Sequence, residues 1–446
     1  MSNDQEIGID EERGAEFGAS SELELLDALL DEEGVAAPVA TLPRQGARIA
    51  PLSASQRRLW FLHELDPASH AYTLCGAVHL KGVLNVAALE EALSGIVARH
   101  ESLRTIFVSQ AGEPMQVVQN ALPVDLRRFR AATSDVLLEA PSAAQDLVRT
   151  PWNLAEGPLL RVALVEFSTV EHALIVVMHH IVADGWSIGV LLRDLSVLYD
   201  ARLAGAAPLL DDLPLQYADY AAWQNDPQRA DEREDDLAYW KRRLEGAPQG
   251  LDLPTLSVGP QASRRGAQKK IRLSPELTES LKSFGRSQGA TLYMTLLAAF
   301  QVLISRHTGQ EDFLIGSPVA GRSRVELQGL VGFFVNTLVL RADLSGDPTF
   351  RELLGRVRGT VLEALAHQEV PVERIVEMLR PEREASMTPL FQVLFILQNT
   401  GQLDLPLAGL EVEELEIDLP AAKFDLTFDL GEVNGALVGM VEFDAD

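Results

Sequence analysis

An unbroken apolar run, Ala173-Leu174-Ile175-Val176-Val177-Met178, gives way at once to a polar cluster and then to helical spacing. The run predicts a strand buried on both faces. Ile188, Leu191, Leu192, Leu195 and Leu198 then fall on one face of a helix. Upstream, Val86, Leu89, Leu93, Ile96 and Val97 mark another helix, and Leu103 to Val108 reads as a strand. Ala111-Gly112-Glu113-Pro114 turns it into a second strand at Met115 to Val118. The polar stretch Asn225 to Asp236 is the best lobe boundary and leads into a helix at Leu237 to Leu244. Beyond it lie an almost wholly apolar, hence buried, helix from Thr291 to Ile304 and a helix from Phe350 to Ala366. Strands are predicted near Phe313, at Gly332 to Leu340, Leu390 to Leu397, Lys423 to Leu430 and Leu437 to Phe443. This mixed order predicts an α/β protein of two lobes, 51–225 and 226–446.

Residues 1 to 50 break the pattern. They hold twelve Asp/Glu against three Arg and are expected to be largely flexible. Within them, Ser21 to Glu33 predicts a short helix: Ser21 and Glu24 form a capping box, Leu23, Leu26 and Leu30 share a face, and Gly34 stops it. It either docks another polypeptide, packs on its own domain or frays in solution. A net charge of −27 disfavours nucleic acid and anionic membrane surfaces. Cys75 is the lone cysteine, which excludes an intramolecular disulfide and fits a reducing cytoplasm. The acidic N-terminus is not a signal peptide, and no apolar run reaches membrane-spanning length.

The polar cluster after the apolar run is His179-His180-Ile181-Val182-Ala183-Asp184-Gly185. A strand-to-helix exit presents side chains from a rigid scaffold. If the strand persisted through the pair, the two histidines would face opposite sides. His180 and Asp184 have the i, i+4 offset of a helical metal site, but the preceding run argues strand, so no metal is expected.

The cluster resembles the HHxxxDG motif of condensation domains from nonribosomal peptide synthetases. Other stretches carry the same resemblance: Ser53 to Leu62, Arg99 to Phe107, Tyr217 to Gln224, Ile315 to Arg322, Gly332 to Leu338, His367 to Glu373 and Pro389 to Phe395. Their order spans about residues 50 to 443. Glu369 and Val372 depart from the usual residues. The resemblance implies two chloramphenicol-acetyltransferase-like lobes forming a V around a central tunnel. Members usually continue into a closing helix, so a chain stopping at Asp446 is expected to lack it.

The resemblance further implies that an acyl or peptidyl thioester and an aminoacyl acceptor arrive on the phosphopantetheine arms of two carrier domains, with no cofactor bound directly. His180 maps to the reaction-facing histidine, which either accepts a proton from the amine or orients it. His179 and Asp184 map to structural positions. A buried carboxylate needs a cation, and Arg104 is the candidate. Gly185, Trp223 and Asn336 map near the substrate channel, Gly185 because it lets a pantetheine arm approach the backbone. Trp186-Ser187-Ile188 disfavours epimerisation, and the intact histidine pair disfavours heterocyclisation. A fatty-acyl starter domain and a catalytically silent recruiting platform are the alternatives. Because the chain opens at Met1, its donor is expected in trans, from an upstream synthetase subunit or a free acyl donor.

Overall fold

The computed structural model describes residues 13–35, 41–248, 250–253, 266–379, 390–398, 405–417 and 424–444. The apolar run becomes the central strand, Glu171–His179, of a five-stranded sheet. Thr73–Gly82 and Leu160–Ser168 flank it antiparallel, and Leu126–Arg130 adds a parallel edge to the latter. Helix Gly185–Ala204 follows that strand, starting on the predicted period.

The second sheet has six strands, in the order Asn336–Asp343, Asp312–Val319, Val393–Gln398, Leu426–Val433, Ala436–Asp444 and Gly266–Leu273. The apolar helix Leu292–Thr308 is capped by Thr291 and largely buried in this lobe's core. A small third sheet contains the predicted hairpin. Ala111 (φ 53°) and Gly112 (φ 90°) form its two-residue loop, both in the left-handed region that matches the twist of the paired strands. Its first strand begins at Thr105, because Glu101–Arg104 winds into a 3-10 turn.

The expected cut at residue 225 does not separate the lobes cleanly. Strand Leu410–Leu415, from the C-terminal half, pairs with Thr73–Gly82 and completes the N-terminal sheet. Helix Ala230–Leu244 already begins within the polar stretch taken as the lobe boundary.

Helix Arg13–Glu32 runs well past the predicted start, so Ser21 lies inside it. Leu29 is 5% exposed in the C-terminal lobe's core, with Leu25, Leu26 and Leu30 packed alongside. Glu22 Oε2 accepts the Leu292 backbone N–H at 2.6 Å, placing a carboxylate on the positive end of the apolar helix. At the C-terminal end of helix Arg13–Glu32, Arg358 pairs with Glu32 and Glu33. Gly34 (φ 74°) ends the helix as anticipated, with Val35 N–H donating back to Leu30 O. This segment packs on its own domain. The flexibility expected for residues 1–12 and 36–40 lies outside the described residues. No single described helix is long and apolar enough to cross a membrane.

Leu29→Ala should therefore destabilise the domain by about 2 to 5 kcal/mol, read by urea unfolding. An unchanged midpoint would mean that the helix is not docked in solution.

Candidate active site

The strand ends at His179, and His180 opens a 3-10 turn, His180–Val182. His180 N–H donates to Tyr72 O at 2.8 Å. The two rings then meet opposite surroundings. His179 is 3% exposed, edge-on to His63 and Trp152. Its Nδ1 accepts the Ile181 N–H at 3.1 Å, so in the neutral ring the proton sits on Nε2. Burial, with His63 and Arg161 adding positive charge, pushes its pKa down to about 3. His180 is half-buried, and its Nδ1 lies 2.9 Å from Ala183 O. A carbonyl only accepts, so Nδ1 carries a proton, and in the neutral ring Nε2 keeps the lone pair.

Asp184 is fully buried and caps helix Gly185–Ala204 through Ser187 N–H at 2.8 Å. Its cation is Arg322 of the other lobe, with Nη2 3.1 Å from Oδ1, and not the expected Arg104. Arg104 is drawn away by its own neighbourhood, donating to Gln119 O at 2.6 Å and to Glu101 at 3.2 Å. Arg322 is itself almost buried. Burial lowers its pKa, while Asp184 opposes the shift. It also donates to Leu327 O and Leu330 O, and its guanidinium covers the Phe334 ring at 4.1 Å.

The same knot clamps residues 332–334. Phe334 N–H donates to Asp184 Oδ2 at 3.0 Å, and Gly332 N–H donates to Ser187 Oγ at 3.1 Å. Tyr217 Oη donates to Phe333 O at 2.6 Å and bonds Ser53 Oγ at 2.8 Å. A Cβ on Gly332 would sit 1.9 Å from the Tyr217 ring, so only glycine fits there. Held this way, the Phe333 ring packs against His180 with centroids 5.0 Å apart. Sequence reasoning does not find Phe333, although it sits beside Asn336 in a stretch that carries the resemblance. Its contact comes from the opposite lobe, and nothing in its spacing announces it. Gln56 braces the turn from below, donating to Ile181 O at 3.2 Å.

The remaining expected residues disperse. Gly185 is exposed on the first turn of its helix, and nothing lies within 4 Å of where its Cβ would be. Trp223 is stacked by Arg229 (3.9 Å) and Arg324 (4.9 Å), both paired with Glu369, one of the two departures noted above. Asn336, expected near the channel, serves as a structural brace. Its Nδ2 donates to Gln368 O and Val370 O, and its Oδ1 accepts Thr337 and Val372 N–H. That accounts for its whole amide, leaving nothing to offer a substrate. Among the described residues no group of three or more His, Cys, Asp or Glu is placed to hold a metal.

Two mixed α/β lobes, with a histidine at a strand exit where the lobes meet, define the chloramphenicol-acetyltransferase-like class. The chain belongs to the condensation-domain family, whose model matches residues 47–446. It is 45% identical over 417 residues to one of the linear gramicidin synthase proteins of Brevibacillus parabrevis, covering 92% of this chain and 5% of that protein. The chain thus spans about a twentieth of that relative. The X-domain from teicoplanin biosynthesis superposes with a TM-score of 0.81 at 32% identity, covering 92% of each chain. The condensation domain of the monacolin K polyketide synthase superposes at 0.77 and 25% identity, over 90% of this chain and 92% of that one.

Arg322→Met should cost about 3 to 5 kcal/mol by stranding the buried Asp184 charge, whereas Arg104→Met should cost far less. Adding Asp184→Asn to Arg322→Met should recover part of the loss in denaturant melts. Equal costs for the two arginines would contradict the assignment.

For His179, the unfolded ring (near 6.5) binds protons that the folded ring (about 3) refuses, so stability is lost as pH falls from about 6.5 towards 3. His179→Asn keeps an acceptor for Ile181 N–H and removes this titration. Its stability should fall less steeply than the parent's between pH 6 and 4. Parallel slopes would show that His179 is not held neutral.

Proposed function

We propose that the domain forms an amide bond between a carrier-bound acyl or peptidyl thioester and the amine of a carrier-bound aminoacyl acceptor. The observation supporting this most directly is His180: half-buried, with its Nδ1 placed 2.9 Å from Ala183 O, which in the neutral ring leaves the lone pair to Nε2. The acceptor nitrogen adds to the thioester carbonyl, the C–N bond forms and the C–S bond breaks. The proton lost by the amine passes to Nε2, or is steered by it during attack, and then goes to the departing thiolate, so that the carrier's pantetheine leaves as the thiol. Phe333 packs on the imidazole, Ala183 O holds its Nδ1, and Tyr72 O anchors the His180 backbone, which limits the reorientation needed at attack.

On this reading the open space at Gly185 admits a pantetheine arm to a tunnel between the lobes, and the partners are a donor and an acceptor carrier domain. One of the structural neighbours was solved as a complex of the X-domain with OxyB from teicoplanin biosynthesis, and a partner-binding platform is the alternative reading. Retention here of His179, His180, Asp184 and Gly185, with the loop fully braced, favours catalysis.

Mixing the protein with donor- and acceptor-loaded carriers and weighing the products by intact mass spectrometry should reveal the amide. His180→Ala should lower its rate by about 10² or more while leaving the thermal melt near that of the parent. Full activity in a folded His180→Ala variant would remove the residue from the chemistry.

A further inference from the structure

Val176 is out of keeping with its surroundings. It sits in the middle of the central strand, paired on one side with Gly76 and on the other with Val162. Every other residue from Ala173 to Met178 is buried, yet Val176 is half-exposed. A residue of an interior strand reaches solvent only where the sheet face above it lacks cover. Its neighbour Gly76 is half-exposed too, and nothing lies within 4 Å of where a Cβ would stand. Gly76 has no left-handed backbone to explain a glycine. What the missing side chain leaves is room.

The opening has direction. Leu74, opposite Met178 and on the same face as Gly76 and Val176, is half-exposed. Leu74 and Gly76 also lie beyond the end of the pairing with Leu410–Leu415, which stops at Ala77, but Val176 has no such free edge. In the other direction the face closes, since Val78 and Leu174 are buried. Towards the strand exit, His179 is extended (φ −78°, ψ 133°) and shares the opposite face with Thr73. That geometry turns His180 to the face of Leu74, Gly76 and Val176. From Val176 to His180 is four residues, about 13 Å along a strand.

We propose that this apolar recess holds the hydrocarbon part of a carried substrate, a bulky side chain or an acyl tail, and that Gly76 sets its depth. The proposal rests on the role given to His180 above. Leu74, Val176 and Met178 offer no charge or side-chain hydrogen bond, so the recess selects for hydrocarbon length and bulk and not for polarity. Either the donor or the acceptor can supply that hydrocarbon, and the two are separable by experiment.

The test uses the full chain with loaded carriers, comparing the parent with Gly76→Val and the milder Gly76→Ala. One series lengthens the donor from acetyl to decanoyl against a fixed acceptor. The other enlarges the acceptor side chain from glycine to leucine and phenylalanine against a fixed donor. The open space predicts unchanged melts for both variants. Gly76→Val should lower kcat/KM about tenfold or more for the bulky members of one series, mainly through KM, while sparing the smallest. Gly76→Ala should fall between, and remains informative if the valine variant fails to fold. The affected series identifies the occupant. Uniform slowing of all members, or of none, overturns the recess.

If the parent joins no pair at all, the condensation reading fails on its own. The recess is then read by titrating parent and Gly76→Val with S-acyl pantetheines of increasing chain length. Affinity that climbs with length in the parent and levels off in the variant supports the recess. The same dependence in both overturns it.

Discussion

A carboxylate with no access to water has to be neutralised within the protein, and in this domain the neutralising cation belongs to the other lobe. Asp184 leaves the N-terminal lobe's central strand and meets Arg322 at 3.1 Å. Both charges are desolvated, so parting them costs far more than parting a surface pair. Ser187 and the Phe334 N–H supply the further hydrogen bonds to the carboxylate, and Leu327 O and Leu330 O accept from the guanidinium. The pair is therefore less a source of net stability than a device that fixes one register between two lobes. The turn carrying His180 and the loop carrying Phe333 hang from opposite ends of it.

Adjacent histidines take opposite tautomers for reasons that lie in the backbone. Ile181 offers His179 an N–H, which demands a lone pair on Nδ1. Ala183 offers His180 a carbonyl, which demands a proton on Nδ1. The 3-10 turn that replaces the strand after His179 supplies both groups within a few residues. A strand running on through the pair would have supplied neither arrangement. Tautomer and exposure together, not the mere presence of imidazole, distinguish the buried His179 from the half-buried His180.

Local patterning carries much of the fold into view. The central strand, the helix after Gly185, the hairpin at Ala111-Gly112 and the helix Phe350–Ala366 are each specified by neighbouring residues, and each is legible in the sequence. What escapes is long-range. The need of Asp184 for a cation follows from its apolar setting, but no spacing rule joins it to Arg322 across the lobes. Arg104 is nearer in sequence and already engaged with Gln119 and Glu101. The same holds for the crossing strand Leu410–Leu415 and for Phe333, whose partners lie in the other lobe. Asn336 is an amide with partners at both ends. Those partners are the backbone of residues 368–372 and Thr337, which makes it a brace.

The central claim is that the inter-lobe knot holds His180 with its proton on Nδ1 and a lone pair on Nε2. Nitrogen-15 NMR of the protein labelled in its histidine rings reads this directly, with His180→Gln identifying the signals. At neutral pH the account predicts a pyrrole-like shift for Nδ1 of His180 and a pyridine-like shift for Nε2, giving way to tautomer exchange in Arg322→Met. A protonated Nε2 in the parent, or an Arg322→Met spectrum identical to it, would contradict the account.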